Sequence, residues 1–449
     1  MANQLLDHSA RSNWASLAGI KVARVAPMSQ PASGIVAVPG SKSITNRAII
    51  LAAAAEGSTR LKGILRSDDS YWCIQALRQL GVSIEEHEDV VSLTGVAAWQ
   101  QPEKAVFIGS AGTTARFLTS LLAVTTTVPV EMTASAQMSG RPMKTLLDAL
   151  TKLGGQFRFQ GKEGYFPFTI DPATEGVSSI ELSGSTSSQF LSGLLMASPR
   201  VGRPIEVTIP DHVVQADYVR ITLDLMQHFG VTVESAEDMR HFVVQPAAYR
   251  AKDLTIESDA STASYFLAIA AVTGGEVTIP NLNLKSLQPD IRFVEILEQM
   301  GCTVTKNDEG VTLRGPKKLR GGFTINMRAC SDVVPTLAAI APFADGPIEI
   351  TDVEHIRSHE SDRLKVMATT LAELGVPVEE RRDGLRITPA QPRFGVVATH
   401  DDHRIAMSFA VLGAAGSGIG LEDPGSVSKT CPGFFNQIAG MGVGVTLEP

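Results

Sequence analysis

The sequence predicts an α/β fold of two domains, assembled from six copies of one structural unit. Three observations carry this: the length of the chain, a phrase that recurs at near-constant spacing, and a composition rich in small residues. At 449 residues the chain exceeds what one hydrophobic core usually organises, so two or more domains are expected. Hydrophobic residues at 44% and charged residues at 19% describe a folded chain. Glycine is plentiful (39 residues) and aromatics are few (6%), which suits tight turns and close helix–sheet packing.

The recurring phrase is an apolar helix end, a bulky residue, a glycine and an alternating strand. Its copies are LRQLGVSIEE, LTKLGGQFRF, LMQHFGVTVE, LEQMGCTVTK, LAELGVPVEE and IAGMGVGVTL. Their glycines, Gly81, Gly154, Gly230, Gly301, Gly375 and Gly442, lie 73, 76, 71, 74 and 67 residues apart. Each glycine reads as a helix stop in the left-handed conformation, and each V-x-V that follows as a strand. ESAEDMRHFVV and ERRDGLRITP continue into hairpins. An earlier apolar helix precedes the phrase, as in ITNRAIILAAAAEG, SSQFLSGLLMAS, STASYFLAIAAVTGG and RIAMSFAVLGAAG. One unit therefore reads strand–helix–strand–helix–strand–strand, and six units make two domains of three.

Charge and cysteine usage narrow the function. The net charge is −8 and no block of Lys or Arg occurs, which argues against nucleic acid and membrane surfaces as partners. Cys73, Cys302, Cys330 and Cys431 are scattered without a CxxC pair, so neither a disulfide framework nor a structural zinc is expected. The first 30 residues hold no apolar signal core, and no run of 18 apolar residues exists; a cytoplasmic location is expected. Neither GxxxxGK[ST], a GxGxxG after a strand, nor G-x-S-x-G is present. The run His400–Asp401–Asp402–His403 reads as a polar helix cap rather than a metal site.

Polar residues gather where the apolar helices begin: PGSKSITNR, GSAGTTAR, SGRPMK, GSTSSQ, SDASTAS, RACSDVV, RSHESDR, THDDHR and SVSKT. Any one alone is an ordinary Ser, Thr or Asp cap. The excess over capping is a set of cations: Lys42, Arg47, Arg116, Arg141, Arg363, Arg404 and Lys429. A cation at a helix N-terminus opposes the helix dipole and calls for an anion that neutralises both. An acidic protein with cations so placed is expected to hold a small polyanion with phosphate or carboxylate groups, without a metal or cofactor. Ser43 and Arg47 share a helix face at i,i+4, and only that first turn is expected to meet a ligand. Asp332 reads as an N-cap before VVPTLAAIA, and Glu360 as a first-turn helix acid.

These motifs, PGSKSITNRA, GSAGTTAR, SGRPM, SSQFLSGLLMA, SDASTASYFLA, PDIRF, HESDRL, DDHRIAMSF and SKTCPGFF, resemble those of the 5-enolpyruvylshikimate-3-phosphate synthases, a family of enolpyruvyl transferases. Order and spacing agree from about Ala37 to Gly442. The resemblance implies an inside-out α/β barrel of six βαβαββ repeats. Residues 39–258 form one domain, residues 26–38 with 259–449 the other, and residues 1–25 an N-terminal extension. The implied reaction moves the enolpyruvyl group of phosphoenolpyruvate to the 5-hydroxyl of shikimate-3-phosphate, releasing phosphate, in a monomer of the shikimate pathway. The inhibitor glyphosate mimics phosphoenolpyruvate in this family.

The same resemblance assigns roles. Lys42, Asp332 and Glu360 are catalytic. Shikimate-3-phosphate falls to Lys42, Ser43, Arg47, Ser187, Ser188, Gln189, Tyr218, Asp332, His355 and His359. Phosphoenolpyruvate falls to Lys42, Ser110, Gly112, Thr113, Arg141, Gln189, Arg363, Arg404 and Lys429. Four positions depart from the family pattern: Ser110 for Asn, Gln215 for Ser, His355 for Asn and His359 for Lys. Nearby phosphate and carboxylate groups, Glu360 among them, are expected to favour a protonated His359 and burial to oppose it; a neutral, hydrogen-bonding His359 is the alternative. Two alternatives stand beside this reading. One is a transferase acting on UDP-N-acetylglucosamine, disfavoured because Ser43 and Arg47 follow Lys42 and no cysteine lies near residues 110–140. The other is a phosphosugar-binding homologue without turnover.

Overall fold

The computed structural model describes residues 8–307 and 310–449. The chain divides into a unit formed by Gly40–Ile256 with a short stretch ending at Ser12, and a unit formed by Asn13–Pro39 with Glu257–Pro449. Among the described residues the chain passes between them after Ser12, after Pro39 and after Ile256, the last two inside the segments AVPG and IESDAS.

Each unit holds three four-stranded sheets of one design, in which a parallel pair is followed by two antiparallel neighbours. In the first unit the orders are Leu254–Thr255, Ser58–Lys62, Val90–Thr94, Ser83–His87; then Val106–Phe107, Val130–Thr133, Phe168–Asp171, Gln156–Phe159; then Ser179–Glu181, Ile205–Thr208, His241–Val244, Val233–Ser235. In the second they are Ser33–Ile35, Glu276–Ile279, Gly310–Arg314, Thr303–Asn307; then Phe323–Asn326, Ile348–Thr351, Gly384–Ile387, Val378–Arg381; then Val396–Ala398, Ile419–Glu422, Val22–Val25, Val445–Glu448.

The repeated phrase thus corresponds to real units, and its six glycines all take positive φ, from 87° to 117°. Only glycine adopts that region without a Cβ penalty, which is why each helix stops there. Sheets alternate in burial, as in Ser58–Lys62 and Ile205–Thr208, so one face packs inward. What they cover are the apolar helices. Lys42–Ala54, Gly112–Thr125 and Ser188–Ala197 in the first unit are buried along nearly their whole length. So are Ala260–Thr273, Val334–Ile340 and His403–Ala415 in the second. A helix apolar on every face is stable only with neighbours on every face. Gly193 shows how closely these helices approach: a Cβ there would sit 2.7 Å from Ser120 Oγ and 3.1 Å from the Arg116 carbonyl. The later helices of each repeat, such as Lys144–Leu153, bury one stripe only, here Leu146, Leu147, Leu150 and Leu153.

The N-terminal part differs from the expected extension. Val22–Val25 is an interior strand, antiparallel to both Ile419–Glu422 and Val445–Glu448. Its alternation of buried Ala23 and Val25 fills a place in the sheet that no later segment supplies. Upstream, Ala10 accepts a hydrogen bond from Trp72 Nε1 at 2.8 Å, and the Ser12 amide donates to Asp68 Oδ1 at 2.7 Å.

Two glycines of the repeat separate conformational from steric cost. A Cβ at Gly154 would lie 2.1 Å from the Thr174 carbonyl oxygen, whereas at Gly230 the nearest atoms are 3.7 Å away on the flexible Arg250. Gly230→Ala should lose about 1–2 kcal/mol, the cost of the left-handed backbone alone. Gly154→Ala should lose clearly more, read as a lower midpoint in urea unfolding; equal losses would show that the backbone relaxes around residue 174.

Candidate functional site

In the Gly40–Ile256 unit, three helix starts meet. Lys42 opens the first helix after the extended, buried Ser41, and its Nζ lies 3.8 Å from Asp69 Oδ2 with 14% of the side chain exposed. One turn on, Asn46 Nδ2 donates to Thr113 Oγ1 at 2.6 Å, tying the first helix to the second. Ser110 is buried in the turn that leads to the second helix. Gly112 follows, and the guanidinium groups of Arg116 and Arg141 close over it. A Cβ at Gly112 would stand 2.9 Å from Arg116 Nη1, 3.0 Å from Arg141 Nη1 and 3.5 Å from Gln189 Oε1. The third start contributes Ser187, whose Oγ caps the helix by accepting from the Gln189 amide, and the buried Ser188.

Arg47 is turned further inward than its helix face suggests. It is 1% exposed and donates to Thr222 Oγ1 (2.7 Å), the Ser43 carbonyl (2.9 Å), the Tyr218 carbonyl (3.2 Å) and Ser192 Oγ (3.4 Å). Its guanidinium carbon stands 4.8 Å from the Phe117 ring centroid and 6.0 Å from that of Tyr218. No carboxylate neutralises it among the described residues, and burial pulls its pKa down to about 10. The first turn of this helix therefore holds Arg47 inside the unit, bonded to the neighbouring elements. Gln215 takes a left-handed conformation (φ 50°) at the head of Ala216–His228.

In the second unit the corresponding place is an ion cluster around Arg363. This residue is 1% exposed, and all five of its N–H groups are engaged. Nε donates to Asp402 Oδ2 at 2.9 Å, and Nη2 donates to Asp402 Oδ1 at 3.3 Å and Glu360 Oε2 at 2.7 Å. Nη1 donates to Asp332 Oδ1 at 3.2 Å and His359 Nδ1 at 3.0 Å. Burial would lower the arginine's pKa, but Asp402 and Glu360 outweigh it and raise it. Arg404 Nη2 donates to Asp332 Oδ2 at 2.8 Å, and Lys429 Nζ lies 3.4 Å from Glu360 Oε1. Three cations thus face three carboxylates. Of the latter, Asp402 is fully buried, while Asp332 and Glu360 keep 17% and 10% of their side chains exposed. The two outer carboxylates are the ones a small molecule can reach.

Several sequence-based roles change here. Asp332 lies in the short turn Ser331–Val333, so it is not the cap of Val334–Ile340. Glu360 precedes Arg363–Glu373, whose cap is Asp362 accepting from the Lys365 amide. Freed from capping, both carboxylates point at cations instead. For His359, whose protonation the sequence leaves open, burial, with Arg363 adding to it, drives the pKa down to about 3, which favours the neutral ring. Its ring lies 5.9 Å from that of His355, whose Nε2 is 2.7 Å from Ser331 Oγ. The cations of this unit are balanced by the protein's own carboxylates, so here they do not by themselves demand a foreign anion.

Three contributors escaped the sequence reading. Asp402 caps His403–Ala415 through the Arg404 amide, as expected of THDDHR, but it also chelates Arg363. Asp290, 1% exposed, accepts a short hydrogen bond from Ser261 Oγ, which Arg404 Nη2 approaches at 3.5 Å. Burial and then Asp332 push Asp290 up to about 7. Asp69 stands against Lys42. The signal in each case was an acid in a polar cluster at a helix start, which capping explained too readily. Among the described residues no set of three or more His, Cys, Asp or Glu is arranged to hold a metal, and no helix is long and apolar enough to cross a membrane.

Comparison with known proteins gives the family. A profile of the family EPSP synthase (3-phosphoshikimate 1-carboxyvinyltransferase) matches residues 27–438. The chain is 44% identical over 441 residues to 3-phosphoshikimate 1-carboxyvinyltransferase 2 of Halalkalibacterium halodurans, covering 98% of each chain. It is 38% identical over 413 residues to the 3-phosphoshikimate 1-carboxyvinyltransferase of Trichormus variabilis, covering 91% of this chain and 96% of that one. The solved EPSP synthase of Acinetobacter baumannii superposes with a TM-score of 0.80 at 27% identity, over 96% of this chain and all of that one. With a profile match over most of its length and relatives well above 30% identity, the chain belongs to the EPSP synthase family of 3-phosphoshikimate 1-carboxyvinyltransferases.

Proposed function

We propose that the chain transfers the enolpyruvyl group of phosphoenolpyruvate to the 5-hydroxyl of shikimate-3-phosphate and releases phosphate. The observation that carries the chemistry is the pair of partly exposed carboxylates, Asp332 and Glu360, both held by the guanidinium of Arg363. The reaction needs a proton removed from an attacking hydroxyl and a proton delivered to the methylene carbon of the enol. Asp332 takes the first role and Glu360 the second, with Lys42 as a further proton-transfer group. Oxygen adds to C2 and a proton to C3; the bond from C2 to the phosphate oxygen then breaks, and C3 returns a proton to restore the double bond.

The cations divide the charge of the substrates. Arg363 and Arg404 suit the planar carboxylate of phosphoenolpyruvate, which takes N–H groups now given to Asp332 and Glu360. Lys42, Arg141 and Lys429 serve its phosphate, with Ser110, Thr113 and Gln189 lining its wall. Ser187, Ser188 and Gln189 cradle the phosphate of shikimate-3-phosphate. Ser43, Arg47, Tyr218, His355 and His359 address the remainder of that molecule. All of these groups come from one chain, which suits a monomer. The four cysteines are free and buried, which suits the cytoplasm.

The direct test is phosphate release with both substrates present. Turnover should persist in EDTA, because side-chain cations supply the whole counter-charge; loss on chelation, restored by Mg²⁺ or Zn²⁺, would reject that. Asp332→Asn and Glu360→Gln should each lower kcat by about 10²–10⁴, with KM changed only a few-fold. Near-native turnover in both would refute the acid and base roles.

Arg363→Ala should raise KM for phosphoenolpyruvate. It should also destabilise the protein by about 3–5 kcal/mol, because Asp402 is left charged and without its partner in a fully buried place. An unchanged melting temperature would contradict the burial argument. Gly112→Ala should push Arg116 and Arg141 outward, raising KM for phosphoenolpyruvate and weakening glyphosate together; unaltered constants would show that the guanidiniums have room to yield.

A further inference from the structure

We propose that His359 is a positioning residue that acts as an uncharged imidazole, its Nδ1 accepting an N–H from Arg363 and its Nε2 carrying the proton as a neutral donor. The inference rests on the reading of Arg363 as the carboxylate-binding arginine, and it replaces a lysine-like charge at this position with a hydrogen-bond acceptor.

The geometry fixes the tautomer. A guanidinium has donors and no acceptor, so the contact of Arg363 Nη1 with His359 Nδ1 at 3.0 Å requires a lone pair on Nδ1. A neutral imidazole with its acceptor at Nδ1 carries its proton on Nε2. The competing partner, Asp332 Oδ1, is 3.8 Å from Nδ1, beyond hydrogen-bond reach, and already accepts from Arg363 Nη1 at 3.2 Å. A proton on Nδ1 would point at a guanidinium N–H across 3.0 Å.

The charged and titratable groups around the ring agree. Arg363 faces it from the Arg363–Glu373 helix, Asp332 from the Ser331–Val333 turn, and His355 from the Glu354–Ser358 turn; Glu360 is its neighbour in the chain. Burial, Arg363 and His355 disfavour the imidazolium, while Asp332 and Glu360 favour it. Both carboxylates are already committed to Arg363. The result is a low pKa and a ring that keeps one protonation state across the neutral range.

The consequence is the reverse of simple charge replacement. A lysine at residue 359 accepts nothing from Arg363 and brings a like charge within about 3 Å of it, where repulsion is strong in a partly buried place. A glutamine keeps an oxygen that can accept.

Histidine ¹⁵N NMR on the ligand-free full chain, with His359 assigned by its loss in His359→Gln, reads the tautomer directly. An acceptor-type Nδ1 and a protonated Nε2, unchanged from pH 6 to 8, are expected. An imidazolium at pH 7, or a proton on Nδ1, overturns the proposal. Steady-state kinetics provide the second arm. His359→Lys should have a KM for phosphoenolpyruvate about tenfold or more above that of His359→Gln, and an equal or lower KM in the lysine variant overturns the positioning role. The NMR result stands whether or not phosphoenolpyruvate is the substrate, so failure of this proposal and failure of the functional reading are distinguishable.

Discussion

Arg363 and Asp402 form the interaction on which the ion cluster of the second unit depends. Neither has meaningful contact with solvent, and an ion pair so placed gains stability only if its remaining hydrogen bonds are made. They are: the carboxylate also accepts from Ser361 and from the amide of Arg404, and the guanidinium spends its other donors on Glu360, Asp332 and His359. Because Asp402 is also the helix cap, the position of Arg404 follows from the same atom set. One buried carboxylate therefore fixes two arginines, and they in turn aim the two carboxylates that stay partly exposed. Chemistry and packing are not separable here.

The Gly40–Ile256 unit solves the same electrostatic problem with different materials. Arg47 has no acid beside it among the described residues. It is held by two hydroxyls, two carbonyls and the faces of Phe117 and Tyr218. Neutral acceptors and ring quadrupoles satisfy its geometry without cancelling its charge. A residual positive potential is thus built into this unit, whereas the Arg363 cluster is balanced internally. An anion entering the second unit's cluster must compete with Asp332 and Glu360 for Arg363, whereas Arg47 in the first is held by neutral acceptors.

Much of the fold was legible in the sequence because its signals are local. A glycine forced to positive φ after an apolar run declares itself at each of six places, and helices without a polar face can only lie inside. The site was legible at the level of which segments matter, since cations at helix starts are physically anomalous. What each side chain does there was less legible. Asp402 could be read as a cap but not as the ligand of an arginine 39 positions earlier. The helix face that Arg47 shares with Ser43 was legible, but a helix face says nothing of the neighbouring helix that covers it. The charge of His359 stayed open because the sequence shows the acids beside it but not that they are spent on Arg363. Val22–Val25 was missed as a domain element because its partners lie at the far end of the chain.

That strand has a consequence for how the protein is made. Arg24 pairs with Glu448 across a separation of 424 residues, and the sheet they share also needs Ile419–Glu422. During synthesis the Gly40–Ile256 unit can close its three sheets once its own stretch has emerged. The first strands of the chain must wait for nearly the last. Until then the Val22–Val25 edge and the apolar side of the His403–Ala415 helix lack their cover, and unpaired edges beside apolar surface are where chains associate wrongly. The contiguous half is therefore the early folder and the discontinuous half the late one. The ion cluster around Arg363, which belongs to the late half, forms only once the segments carrying Asp402 and Lys429 have emerged.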